Sequence, residues 1–192
     1  MNQPISQTIS IQRSKRMMLW IAMISMSMTF AGLTSAYVVS SNRPDWLTQL
    51  VMPAAFTIST IIILLSGLTF WYAKKLIQVD NISQSQWILL ITFFLAIAFV
   101  YFQFQGFTQI MEQGYYFTGP ESSITGSFIY VLVLLHLLHL IAGMIVVSVV
   151  MINNYRGKYN KQNLLGVELA TNFWHFLDGL WLYLYLFMLL IG

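Results

Sequence analysis

Five long apolar stretches separated by short polar connections organise this chain, over about 17–39, 52–73, 87–110, 126–152 and 168–191. A helix crossing a hydrocarbon core needs about 20 apolar residues, and each stretch is that long. None shows the period-2 alternation of a barrel strand, and open or irregular backbone leaves its polar groups unsatisfied in lipid. The pattern therefore predicts an all-α fold, a polytopic bundle of five transmembrane helices. Residues 17–192 form a single transmembrane domain and residues 1–16 an N-terminal tail. The connections, "SSNRPDWLTQ", "KKLIQVDNISQSQ", "EQGYYFTGPESS" and "NNYRGKYNKQN", carry the turn and polar residues. No long linker or internal repeat interrupts the series.

The first stretch has a second reading. "KRMMLWIAMISMSMTFAGLTSAYVV" resembles a signal peptide with cleavage after Ser35 or Ala36. Its apolar run exceeds a signal core of about 7–15 residues, which favours a retained helix.

Composition narrows the solvent. Hydrophobic residues are 58% of the 192 and charged residues 8%, against about 25% charged in soluble domains. So few charges fit a bilayer. The absence of cysteine excludes disulfides, thiolate metal sites, iron–sulfur ligation and a cysteine nucleophile. A net charge of +3, scattered along the chain, gives nucleic acid no docking patch.

The basic residues set a direction. Arg13, Lys15, Arg16, Lys74, Lys75, Arg156, Lys158 and Lys161 fall on one side of the alternating spans and Arg43 on the other. By the positive-inside bias the N-terminus is cytoplasmic and the C-terminus outside. Trp20, Trp71 and Trp87 fall near the cytoplasmic helix ends and Trp46 on the opposite side, as an interfacial belt requires.

The chemistry-bearing residues concentrate in the last two spans. His136 and His139 are three apart on one helix face, with Gly143 a turn further along. A glycine there lets another helix approach closely. In "FWHFLDGLW", residues 173–181, two tryptophans flank His175 and Asp178. Glu168, Thr171, His175 and Asp178 follow 3–4 spacing and predict one polar stripe. Trp174, Asp178, Trp181 and Tyr185 make an overlapping aromatic one. A carboxylate at mid-helix costs about 2.5–3.5 kcal/mol on insertion scales, so Asp178 needs a partner, and His175 is the nearest.

Several functions compete for these groups. Histidines in membrane helices ligate haem, although His136 and His139 would compete for one site with His175 opposite. Glu168, His175 and Asp178 could form a proton path. Three histidines and a carboxylate match a zinc count. Met17, Met18, Met23, Met26 and Met28 could hold copper(I), although flexible packing is the commoner use of methionine. The remaining reading is structural, a hydrogen-bonded polar cluster that fixes helix register. Hydroxyls in the first two spans read as bonds to their own backbone or to a neighbour.

Taken together, "GSFIYVLVLLHLLHLIAGM" and "GVELATNFWHFLDGLW" closely resemble the last two helices of subunit III of haem-copper oxygen reductases. That family has a His-x-x-His pair followed by a glycine, then a glutamate, then Trp-His-Phe-x-Asp-x-x-Trp. His136, His139, Gly143, Glu168, Trp174, His175, Phe176, Asp178 and Trp181 stand at the matching spacing. "FVYFQFQGF" fits the third-helix pattern at Gln103, which is a candidate lipid or polar contact. The length and five spans are similar to the short bacterial form. Two positions depart from the family: Met26 stands where the first helix has a buried carboxylate, and Gly106 where a glutamate often follows the glutamine.

The resemblance implies a non-catalytic subunit of a respiratory terminal oxidase in a bacterial inner membrane. It implies no haem or copper in this chain, redox centres in partner subunits, packing against subunit I, and bound phospholipid. Support of sustained turnover, proton uptake and dioxygen access also follows from it, as does membership of a respiratory supercomplex as an open expectation. A quinol oxidase subunit and a nitric oxide reductase accessory protein are the near alternatives, and a small haem-binding electron carrier or a proton-coupled transporter the distant ones. His136, His139, Glu168, His175 and Asp178 are then a structural cluster, with His175 and Asp178 locking the fifth helix to the fourth. Gly143, Trp174 and Trp181 are packing anchors.

Overall fold

A computed structural model of the chain describes residues 5–41, 52–114, 124–161 and 163–191. Arg43 and Trp46 lie outside them. Five helices run α1 Ile5–Ser40, α2 Ala54–Gln78, α3 Ile82–Glu112, α4 Ile124–Tyr155 and α5 Leu165–Ile191. All five are long and apolar enough to cross a membrane. Each outruns at one end or both the apolar stretch that predicts it, because a helix keeps its backbone bonded past the hydrocarbon edge while polar residues take over. Residues 5–16, the greater part of the expected N-terminal tail, are helical and continuous with α1.

Two turns are short enough to set the antiparallel pairing. After α2 the chain reverses within Val79–Asn81. Asp80 takes the left-handed conformation at φ 57°, a region aspartate tolerates better than most residues, and its carboxylate accepts the Lys161 amide at 3.2 Å. After α4, Gly157 has φ 65°. Its amide donates to the Asn154 carbonyl and the Lys158 amide to Asn153, both at 3.0 Å. That is the glycine-capped helix end in which only a residue without Cβ is unstrained.

Four helices close a ring: α2 packs on α3, α3 on α4, α4 on α5, and α5 back on α2. α1 lies outside the ring against α5 and α4. Lipid gives apolar helices no hydrophobic reason to associate, so close packing and cross-helix hydrogen bonds must hold them. Four of the seams have such a bond. Thr69 and Thr92 share a hydrogen at 2.8 Å between α2 and α3. Asn154 of α4 donates to Ser85 Oγ and Gln86 Oε1 of α3 at 3.0 and 3.1 Å. Thr34 of α1 meets the Tyr183 hydroxyl of α5 at 2.9 Å, and Thr57 of α2 meets that of Tyr185 at 2.8 Å. The hydroxyls also return bonds to their own helix, as Thr171 does to the Val167 carbonyl at 2.8 Å.

Candidate functional site

The two tryptophans of α5 are the keystones of the ring. Trp174 and Trp181 are seven apart, two turns, and so share a face. Both are almost fully buried, and both indole N–H groups cross to α2. Trp174 donates to Ser66 Oγ at 3.1 Å and Trp181 to Thr60 Oγ1 at 3.0 Å. The same rings reach the other helices. Trp174 lies with Leu177 against Gly143 of α4, where any side chain at 143 would strike both. Trp181 packs edge-on to Phe99 of α3 at 5.2 Å between centroids and to Phe56 of α2 at 6.0 Å. Gly143, Trp174 and Trp181 thus lie where α5 meets its neighbours.

His136 belongs to this core. It is fully enclosed, with its ring 5.2 Å from Trp181, 6.2 Å from Phe99 and 6.5 Å from Phe30. Neither ring nitrogen has a hydrogen-bond partner among the described residues. His139 shares the contact with Phe30, at 5.7 Å, but is half-buried, and its Nδ1 lies 2.7 Å from the Leu135 carbonyl. The two histidines thus share a side of α4, as their spacing predicts, while occupying different environments.

The predicted polar stripe on α5 divides. Glu168 reaches outward to Arg16 of α1 at 2.8 Å, with side chains 30% and 57% exposed, and so closes one end of the bundle. Asp178 turns toward α2. Gly67 leaves it room, since a Cβ there would overlap the carboxylate Oδ2 and crowd His175. His175 Nδ1 lies 3.7 Å from that oxygen, an ion-pair distance longer than a hydrogen bond. His175 is the neighbour of Asp178 as expected, but the pair meets α2 rather than locking α5 to α4, which Trp174 and Leu177 join at Gly143. The spacing of α5 placed His175 beside Asp178 but carried no information on which neighbour the pair meets.

In the same geometry Glu168 pairs with Arg16 of α1 while His175 and Asp178 meet α2, so the three groups turn to different neighbours. That geometry also separates the histidines. His175 is 41% exposed beside α2 while His136 is sealed inside the ring, so the two do not oppose each other as haem ligands. Among the described residues no three His, Asp or Glu side chains gather around a point that could hold a metal ion.

Gln103 is sealed between α2 and α3, donating to Ser59 Oγ at 3.0 Å; it is a polar contact within the bundle and does not reach the lipid face. About one turn further along α3, the departure at Gly106 has a physical counterpart. The Phe56 ring occupies the space a side chain at 106 would need. Met26 packs against the hydrophobic core. Ser66, Thr60, Gly67, Phe56 and Arg16 were not legible as partners. The adjacent small pair Ser66–Gly67 within the bulky stretch from Ile61 to Tyr72 of α2 was a signal available.

One consequence is measurable. Alanine at Gly67 should displace the Asp178 carboxylate from α2 and cost about 1–3 kcal/mol, read as an earlier unfolding midpoint of the detergent-solubilised protein. Alanine at Gly32, with nothing within 4 Å of its Cβ position, should leave the midpoint unchanged.

Comparison with known proteins fits this arrangement. A family profile described as cytochrome c oxidase subunit III matches residues 5–192. Cytochrome c oxidase subunit 3 of Papio hamadryas is 30% identical over 93% of this chain and 70% of its own length. That of Bacillus sp. strain PS3 is 26% identical over 94% and 87%. Cytochrome bo(3) ubiquinol oxidase subunit 3 of Buchnera aphidicola is 26% identical over 95% and 97%. The tryptophan-locked five-helix bundle belongs to the cytochrome c oxidase subunit III family, and the chain is a subunit III of a haem-copper oxidase complex.

Proposed function

We propose that the chain is the non-catalytic subunit III of a proton-translocating cytochrome c oxidase in a bacterial inner membrane, with its N-terminus cytoplasmic. In this role it packs against subunit I, keeps that subunit intact during turnover and binds phospholipid beside it. It carries no haem or copper of its own, the redox centres residing in partner subunits. The observation that carries this reading is the placement of the three histidines. His136 is enclosed by aromatic rings, His139 is turned to its own backbone and His175 faces α2, so the polar groups serve packing rather than a shared redox ligand set. The same placement disfavours a small haem carrier, and the engagement of Glu168 with Arg16 disfavours a transporter's proton path through this chain.

Lipid binding is supported by an apolar cleft of about 470 Å³ between α1 and α5, floored by Phe30, Phe176, Gly179 and Leu180. Its apolar lining suits acyl chains, and a lipid-filled cleft is also a route for dioxygen. A polar recess at the Arg16–Glu168 end of the same two helices, lined also by Lys161, suits a headgroup. Quinol oxidase remains the second reading because the bo(3) ubiquinol oxidase subunit is matched over nearly its full length.

Deletion of this chain from the complex tests the role. Initial oxygen consumption should stay within about twofold of normal while the active lifetime under turnover shortens several-fold. Activity with reduced cytochrome c rather than with quinol identifies the donor. A complex that loses haem stoichiometrically with this chain would overturn the proposal.

A further inference from the structure

Two hydrogen-bond acceptors lie sealed in the middle of the ring with no donor of the chain to meet them. The first is Oε1 of Gln103. This side chain is fully buried, and its Nε2 donates to Ser59 Oγ at 3.0 Å. Oε1 has no partner among the described residues. Turning the amide over gives no remedy. The Ser59 hydroxyl already donates its hydrogen to the Phe56 carbonyl at 2.9 Å, so it can only accept, and Gln103 must present nitrogen to it. The second acceptor belongs to His136, which is fully enclosed and bonded through neither ring nitrogen among the described residues. A neutral imidazole carries one N–H and one bare nitrogen. The surrounding rings of Phe30, Phe99 and Trp181 can hold an N–H on an aromatic face. For the bare nitrogen they have no comparable donor, since the Trp181 indole N–H is engaged by Thr60.

The register of α3 and α4 brings the two acceptors to one layer. Asn154 meets Ser85 at one end of this antiparallel pair and Tyr130 stacks on Phe107 at the other, with Phe99 against His136 between them. Gln103 stands midway from Phe99 to Phe107, and so within about one turn of His136 in depth. Long side chains on a helix lean toward its N-terminus. Because the two helices run in opposite directions, that lean carries the Gln103 amide toward the depth of His136 and the imidazole toward the depth of Gln103. Two acceptors cannot bond each other. A buried acceptor left unmet loses its hydration without return, so the pair calls for one donor with two hydrogens.

We infer that a water molecule is bound between α3 and α4 in this layer, giving one hydrogen to Gln103 Oε1 and the other to the bare nitrogen of His136. Water is a double donor small enough to lie between two side chains, and internal waters serve buried polar groups that the chain itself leaves unmet. The series of bonds then runs from His136 through the water and Gln103 to Ser59 and the Phe56 carbonyl. It ties α4, α3 and α2 together in mid-bundle, at a depth that the Asn154 bonds at the end of α4 do not reach. His136 thereby fixes the register of α4 against α3 as well as filling space.

The test is electron cryo-microscopy of the complex drawn from native membranes by a tag on this chain, at a resolution that shows ordered water. The map should hold one isolated density within hydrogen-bonding distance of both Gln103 Oε1 and a His136 nitrogen. Side chains packed together with no density between them, or a direct bond from one to the other, would overturn the inference. A double-mutant cycle on the detergent-solubilised full chain gives a second reading. Gln103→Leu and His136→Leu should each raise the unfolding constant, and the double variant should fall short of the product of the two by about threefold or more, as groups sharing one partner do. A smaller coupling would overturn the bridge. So would an equal coupling of Gln103→Leu with His139→Leu, because His139 is turned to the Leu135 carbonyl. The map of the unaltered complex decides even where a variant fails to fold.

Discussion

Alanine in place of Trp181 is expected to cost the bundle about 3–5 kcal/mol, the range for truncating a buried aromatic side chain. The ring is fully buried and serves three neighbours at once: Phe56 of α2, Phe99 of α3 and His136 of α4. Its removal leaves a cavity in the middle of the ring, a Thr60 hydroxyl reduced to its bond with the Phe56 carbonyl of its own helix, and a histidine that loses its largest apolar cover. Phenylalanine at 181 should recover most of the packing and lose the indole bond, which in membrane helices is worth about 0.6 kcal/mol on average. Denaturant titration of the detergent-solubilised protein separates the two. Equal losses for alanine and phenylalanine would mean that the hydrogen bond, rather than the packed ring, carries the contribution of Trp181.

The second large effect concerns Gly106. Introducing the glutamate that the family resemblance implies at this position should be strongly destabilising here. The Phe56 ring occupies the space of the new side chain, and the carboxyl would enter a core of Phe56, Phe107 and Tyr130. Overpacking of this kind costs about 1–3 kcal/mol, and burying the acid adds on the order of 2–3 kcal/mol on insertion scales. Combining Gly106→Glu with Phe56→Ala should return part of the steric loss. A double-mutant cycle measures that coupling, expected within the range of about 0.5–3 kcal/mol found for touching residues. Additive losses would show that Phe56 is not what fills the place of the missing acid.

How much of this was legible in the residues depends on the range of the physics. Each span is a local property: a run of apolar residues long enough for the hydrocarbon core predicts its own helix. For that reason the five helices appear where the pattern puts them, extended by a few turns. The spacing of Trp174, Asp178 and Trp181 is likewise local, and it correctly gathers them near one face of α5. What the spacing does not carry is which neighbour a face meets. In a soluble bundle the apolar stripe marks the inside, whereas in lipid both faces are apolar and that signal is lost. Asp178 against Gly67, Phe56 in the space beside Gly106 and Arg16 across to Glu168 are all pairings between distant parts of the chain. Each needed the arrangement of helices before it became visible. The polar stripe on α5 failed for the same reason. Helical spacing put Glu168 and His175 on similar bearings, but α1 faces the first and α2 the second.

The central proposal is that this chain is a structural member of a larger redox assembly. The most direct test is a reduced-minus-oxidised absorbance spectrum of the complex drawn from native membranes by a tag on this chain. The account predicts haem bands of a terminal oxidase together with a large partner subunit that holds all of the haem. A b-type spectrum equimolar with a lone 22.1 kDa band would contradict it, because the histidines separated by this fold would then have to bind haem themselves.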